Sequence, residues 1–282
     1  MAQAAQFPKL DLDKLIGRDA ADPARRQRLL ALMADRSLAP ELHQEVDAAD
    51  AKARKEGEMP DFLWRGLVRT HTTVQGVTTY EKFVRKSAEL PWDHASLSAL
   101  GPDARKARLI ALVGARREDN WRVGRLLRAF AEVGSPEGLA AAQARLRFLE
   151  GAGAKVAFFA PPGGKSPKPF SGFGPKYARL FWLDIRDADV SEVHMALDSR
   201  IQAIVPLVWP HLDTREGRAL VTAAVEDVEL YGKVERAFLA LAAEARVEAW
   251  RADRTIFTMM APGRWRAAAH FLCTGEASAL RG

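Results

Sequence analysis

Apolar residues recur at helical spacing through most of the chain, and prolines, glycines and short polar residues mark where each run starts and stops. Asp22-Pro23 supplies an N-cap and a first-turn proline for a helix over 24–34, whose apolar positions are Leu29, Leu30 and Leu32. A highly charged helix follows over 40–56 and is ended by Gly57. Pro60 to Thr72 is strongly helical, because Phe62, Leu63, Leu67 and Val68 gather near one face. Further helices are predicted over 77–88, over 102–113 with Gly114 as the C-terminal stop, over 118–133, and from Ser135-Pro136-Glu137 to about 150. Residues 151–169, rich in glycine and proline, read as irregular. Helical patterning resumes after Pro175, then over 200–208 up to Pro210, after the cap-like Asp213-Thr-Arg-Glu216, over 233–245, and over Trp250–Phe257. No alternating strand run and no internal repeat is visible, so the class is all-α.

The chain has 282 residues, 48% of them hydrophobic, enough for one large helical domain or two small ones with a sizeable core. The formal net charge of +6 changes that neutral picture, because it favours a polyanionic partner through phosphate contacts and counterion release. Cys273 is the single cysteine, so no internal disulfide can form, which suits a reducing cytoplasm. One cysteine also rules out a four-cysteine iron–sulfur cluster and any cysteine–histidine zinc pattern, and no metal or other cofactor is expected. Nothing approaches a transmembrane span, and the N-terminus has no apolar signal core.

The candidate chemistry is concentrated in Pro169-Phe-Ser-Gly-Phe-Gly-Pro-Lys-Tyr-Ala-Arg-Leu180. Gly172 and Gly174 bracket a turn, for which positive φ or a close backbone approach is expected, and Pro175 suits the first position of the helix that follows. The amides at that helix start would face a phosphate, and Lys165, Lys168, Lys176, Arg179 and Arg186 crowd around it. Asp198 lies 22 residues after Lys176 (198 minus 176), at the start of another apolar helix. Taken together, Gly172-Phe-Gly174, Lys176 and Asp198 resemble the helix-hairpin-helix DNA glycosylase superfamily, the group that holds endonuclease III and 8-oxoguanine DNA glycosylase. The run Pro161-Pro-Gly-Gly-Lys-Ser-Pro-Lys-Pro169 departs from the family pattern, since the first hairpin helix must then be very short or be preceded by an inserted loop.

The resemblance covers about residues 57–260 and implies a two-lobed helical fold, discontinuous in sequence, with residues 1–56 as an N-terminal extension and 261–282 as a tail. It implies a base-excision glycosylase with AP lyase activity, acting as a monomer on double-stranded DNA that contains a damaged base. Absence of the cluster cysteines and presence of the lysine resemble the 8-oxoguanine branch, and a cytoplasmic, nucleoid-associated location follows if the source is bacterial. Lys176 matches the nucleophile and Asp198 the carboxylate that supports growing positive charge at the sugar. Lys176 could equally be a phosphate contact, and Asp198 a plain N-cap. Gly172, Gly174, Lys168 and Arg179 would hold the DNA backbone, while His71, or else Gln75, would fill the gap left by the extruded base. Polar residues at a helix end are more often caps or solvated groups. Phe173, Tyr177 and Trp250 could stack on the base, or else are core packing. The competing readings are a glycosylase for alkylated bases that uses no lysine nucleophile, a DNA-binding protein without catalysis, and a helical interaction protein with no nucleic-acid role.

Overall fold

The computed structural model describes residues 11–73, 77–115, 120–161 and 173–281, and every regular element within them is helical. The all-α class therefore holds, with no strand among the described residues. The chain forms two compact units. One takes the chain up to Ala53 together with everything from Gly174 onward, and the other runs from Arg54 to Phe173.

In the first unit, Leu29 and Leu32 of the Pro23–Ala34 helix share a core with Leu197, Ile201, Val208, Phe238, Ile256 and Leu272. Asp22 caps that helix by accepting the Arg25 amide at 2.9 Å, as the Asp-Pro pair predicts. The Trp265–Thr274 helix packs against it, and Arg28 Nη1 donates to the carbonyls of Leu272 (2.8 Å) and Cys273 (2.7 Å). Residues expected to form an N-terminal extension and a C-terminal tail thus share the interior of this unit. Both pieces pack by the apolar faces of their helices, Leu29 and Leu32 from one and Phe271 and Leu272 from the other, into the same core.

The second unit is built around the Phe62–Thr73 helix, packed by the Val77–Ser87, Trp121–Val133 and Pro136–Arg147 helices. Trp64 is fully buried, edge-on to Phe130 at 5.4 Å, and its indole N–H donates to the Trp92 carbonyl at 2.8 Å. Burying a tryptophan removes roughly 150–250 Å² from water, so this one residue contributes several kcal/mol before conformational entropy is subtracted.

Several local expectations are corrected. Residues 151–159 form a helix, Gly151–Phe159, where irregular chain was expected. Gly151 opens it with a φ of 76° that favours glycine; Gly153 costs about 1 kcal/mol inside it, but burial of Val156 and Phe159 returns roughly 1.5–3 kcal/mol apiece. The run over 200–208 is two helices, Ser199–Gln202 and Val205–Val208. Pro206 has no N–H to donate and its ring would clash with the Gln202 carbonyl, so one continuous helix is impossible. Thr214 rather than Asp213 caps the Arg215–Glu226 helix, accepting the Gly217 amide at 3.0 Å, while Asp213 pairs with Arg218. Gly217 is a glycine that the packing requires, because a Cβ there would lie 2.6 Å from the Leu212 carbonyl oxygen.

Candidate active site

Lys176 sits in the first turn of the Pro175–Asp184 helix, with Pro175 before it in a first-turn position. Gly174 is the N-cap residue, and no side chain caps the turn. Its φ of −88° and ψ of −177° are extended backbone that any residue adopts, and a Cβ added there meets nothing within 4 Å among the described residues. The expected positive φ at Gly174 is therefore overturned. Gly172, Lys168, Lys165 and Gln75 lie outside the described residues.

The carboxylate side of the site depends on an extended segment, His194 to Asp198, that belongs to no helix and pairs with no strand. Each of its amides must still find an acceptor, since an unpaired buried N–H is costly. Side chains from two other helices provide most of them. Glu235 accepts the Met195 amide at 2.9 Å, Asp253 accepts the Ala196 amide at 2.7 Å, and the Tyr231 hydroxyl accepts the Leu197 amide at 2.7 Å. Tyr231 in turn donates to the Met195 carbonyl at 2.8 Å. The Asp198 amide closes a tight turn onto the Ala196 carbonyl at 2.7 Å. This bed delivers Asp198 to the start of the Ser199–Gln202 helix, where its Oδ1 accepts the amides of Arg200 (3.0 Å) and Ile201 (2.9 Å). Both cap bonds use Oδ1, which leaves Oδ2 to face other groups.

Glu235 is the keystone of the bed. Arg179 grips it with two parallel bonds, Nε to Oε1 and Nη2 to Oε2, both 2.7 Å, and His194 Nδ1 lies 3.0 Å from Oε1. Burial alone would raise the Glu235 carboxyl, but His194 and the Arg179 guanidinium hold it below the usual carboxylate range. Arg179 also donates to the Pro175 carbonyl at 3.1 Å and lies over the Tyr231 ring. Its expected role as a DNA contact is overturned, since it is 8% exposed and its guanidinium is engaged by Glu235. A guanidinium in such a buried bidentate pair cannot turn to an external phosphate without abandoning a buried carboxylate.

Lys176 and Asp198, distant in sequence, are brought within electrostatic reach of one another, together with Asp253 and Asp184. Burial lowers the proton affinity of the Lys176 amine, and the three carboxyl groups, Asp198 foremost, oppose that fall. Its Nζ lies over the Tyr177 ring at 4.6 Å from the centroid. Asp253 is fully enclosed. Burial pushes its pKa up to about 7, against the pull of Arg254 and the Ala196 amide and helped by the charges of Asp198 and Asp184. Near neutral pH it therefore moves between charged and neutral forms, and each protonation removes one counter-charge from the Lys176 amine. The site thus holds an amine whose proton affinity burial lowers, an anchored carboxylate and a buried acid that titrates near neutrality.

Other expected site residues lie elsewhere. His71 is 1% exposed on the inner face of the Phe62–Thr73 helix, in line with Leu63 and Leu67, and so is no plug for a DNA gap. It packs edge-on to Phe173, which stacks on Phe159 at 5.3 Å, so Phe173 is core of the second unit and no base platform. Trp250 is 1% exposed, donates its indole N–H to the Leu183 carbonyl at 3.0 Å and has the Arg186 guanidinium over its ring, which leaves it no face for a base. Tyr177 is half-buried beside Lys176. Glu235, Tyr231 and Asp253 were not singled out from the sequence, although a signal existed. Glu235 follows Val234 and precedes Phe238 on a buried helical face, and Asp253 stands between Ala249 and Ile256 on another. An acid on an apolar stripe must have a buried task.

No protein-family model matches this chain, nor does any curated protein or solved structure. No group of metal ligands occurs among the described residues, and no described helix is long and apolar enough to cross a membrane.

Proposed function

We propose that the protein is a DNA glycosylase with AP lyase activity, of the helix-hairpin-helix type, which removes a damaged base from double-stranded DNA. The observation that carries this reading is the electrostatic coupling of Lys176, its proton affinity lowered by burial, to Asp198, 22 residues further along the chain (198 minus 176). A protonated lysine is no nucleophile, so burial that lowers the proton affinity of the amine favours attack on C1′ of an extruded nucleotide. The amine nitrogen forms a bond to C1′ as the glycosidic bond breaks, and the base leaves with the electron pair and takes up a proton. The ring then opens to a Schiff base, and loss of a C2′ proton expels the 3′ phosphate by β-elimination. Asp198 stabilises positive charge that grows at the sugar, with Oδ2 available while Oδ1 serves the helix cap. The net charge of +6 supports a polyanionic substrate. An oxidised purine such as 8-oxoguanine is the proposed lesion, monomer the proposed state and the cytoplasm the proposed location.

Borohydride trapping on duplexes that carry different lesions tests the reaction and the lesion together. Lys176→Gln abolishes the trapped adduct and strand nicking, while Asp198→Asn lowers single-turnover base release by about 100-fold or more and keeps the fold, since Asn caps a helix as well as Asp. The two cap bonds of Asp198 favour one second reading, a DNA-binding protein in which Asp198 is purely structural. In that case Asp198→Asn changes nothing and no adduct is trapped on any lesion.

A further inference from the structure

Phe148 is 83% exposed, whereas no other large apolar side chain among the described residues exceeds 48%. Phe148 is the C-cap residue of the Pro136–Arg147 helix, and it keeps helical backbone, with φ of −77°, ψ of −8° and its amide donating to the Ala144 carbonyl at 3.1 Å. Its side chain therefore shares a face with Ala140 and Ala144, both exposed, and leans toward the helix N-terminus as helical side chains do. These three residues, with Gln143 and Arg147, line a depression of about 360 Å³ in the second unit. The alanines leave the space. Gln143 floors it, with its oxygen accepting the Leu63 amide at 3.1 Å and its nitrogen donating to the Pro60 carbonyl at 2.7 Å. One surface thus carries both a projecting phenyl ring and a recess. A twofold axis can set each against the other, because an isologous interface joins the same patch on both subunits.

Charge selects a second copy as the occupant. Glu137, Ala140, Ala144 and Arg147 are exposed and follow the i, i+3, i+7, i+10 spacing of a coiled-coil seam. In an antiparallel pair with its twofold axis at Ala142, Glu137 of each copy meets Arg147 of the other, and Ala140 meets Ala144. The phenyl ring of Phe148 then reaches over Ala140 of the partner. A parallel pair would set Glu137 against Glu137 and Arg147 against Arg147, which is repulsive, and would align the two helix dipoles. Arg147 is steadied at the end of the seam, since its guanidinium lies over the Phe62 ring at 4.9 Å from the centroid. We propose that this face joins two copies of the chain, one Pro136–Arg147 helix running antiparallel to the other. Exposed ion pairs contribute little affinity and fix register, so Phe148 in the recess carries the contact. A seam along one helix of 12 residues buries less than roughly 1,200 Å², the range of weak, transient complexes. Pairing therefore belongs to the free chain at high concentration, and the monomer remains the form that acts on DNA. The inference goes beyond the glycosylase reading and uses none of the residues of the Lys176 site.

Sedimentation equilibrium of the intact protein at low salt, from about 1 µM to about 500 µM, tests it. The mass moves from one chain toward two and stops there, since a twofold contact closes on itself, with Kd of about 100 µM or tighter. Phe148→Ser weakens pairing by about tenfold or more at an unchanged melting temperature, because the ring is exposed in the single chain. Glu137→Arg and Arg147→Glu each weaken self-pairing by about tenfold or more, whereas an equimolar mixture of the two variants pairs at least as tightly as the parent, because both contacts at the ends of the seam again join opposite charges. A mass of one chain across the whole range would overturn the proposal and assign the face to a different partner. Undiminished pairing in Phe148→Ser, or a mixture that pairs no better than its two components, would overturn it as well.

Discussion

The buried polar groups under Met195–Asp198 and those at the inner end of the Phe62–Thr73 helix are treated in opposite ways. In the first region Glu235, Tyr231 and Asp253 are all engaged, and each serves a backbone amide that no helix or sheet could satisfy. In the second, neither ring nitrogen of His71 nor the Thr70 hydroxyl finds a hydrogen-bond partner among the described residues. The contrast has a simple cause. Irregular chain brings its own unpaired N–H groups into the interior and makes buried side-chain acceptors useful. A helix satisfies its backbone internally, so a polar side chain on its inner face carries a desolvation cost with no backbone group to serve. The first arrangement holds Asp198 near Lys176; the second leaves a histidine held neutral, its pKa lowered to about 4 by burial and by Arg125 and Arg128.

Removal of the keystone breaks this comparison most severely. Glu235→Ala leaves Arg179 buried without its partner and the Met195 amide without an acceptor, and is expected to destabilise the protein by about 3–5 kcal/mol in urea unfolding. A loss below about 1 kcal/mol would mean that the bed is not a unit. The two regions also differ in the sign of their pH dependence. His71 has a folded pKa of about 4, below its ordinary 6.5, so its contribution is intact above 6.5 and is lost as pH falls toward 4, by about 3 kcal/mol in all. Asp253 has a folded pKa of about 7, above its ordinary 3.8, so its contribution is intact below 3.8 and is lost as pH rises toward 7, by a similar amount of about 4 kcal/mol. Between pH 4 and 6.5 the two slopes oppose one another. Relative to the parent, His71→Phe should gain stability as pH falls through this window, and Asp253→Asn should gain it as pH rises; melts across the window that keep the same shape in both variants would contradict the assignment. The smallest effect belongs to Gly174→Ala. With extended backbone and no described atom within 4 Å of an added Cβ, the melting midpoint should correspond to a change within about 0.5 kcal/mol. A large loss there would restore a conformational demand on that glycine.

Much of the fold was legible in the chain, because helix signals are local. Asp22-Pro23 caps the Pro23–Ala34 helix, Gly114 ends the Pro102–Val113 helix with φ of 61°, and Leu63 and Leu67 face inward as their spacing requires. Each depends on a few neighbouring residues whose hydrogen bonds or periodicity are complete within two turns. The reach of Lys176 to Asp198 was expected from their motif, and here the structure adds the burial that alters the amine. What only tertiary structure decided was the fate of side chains with two plausible uses. Arg179 reads as one more cation on a basic helix until Glu235, 56 residues away, takes its guanidinium. His71 reads as a polar helix end until its face proves to be the inner one, and Trp250 as a stacking surface until Leu183 and Arg186 enclose it. Helix and cap are settled by the nearest residues along the chain. The fate of a charge or a ring is settled by whichever distant groups share its dielectric environment, and that proximity exists only once the chain has packed.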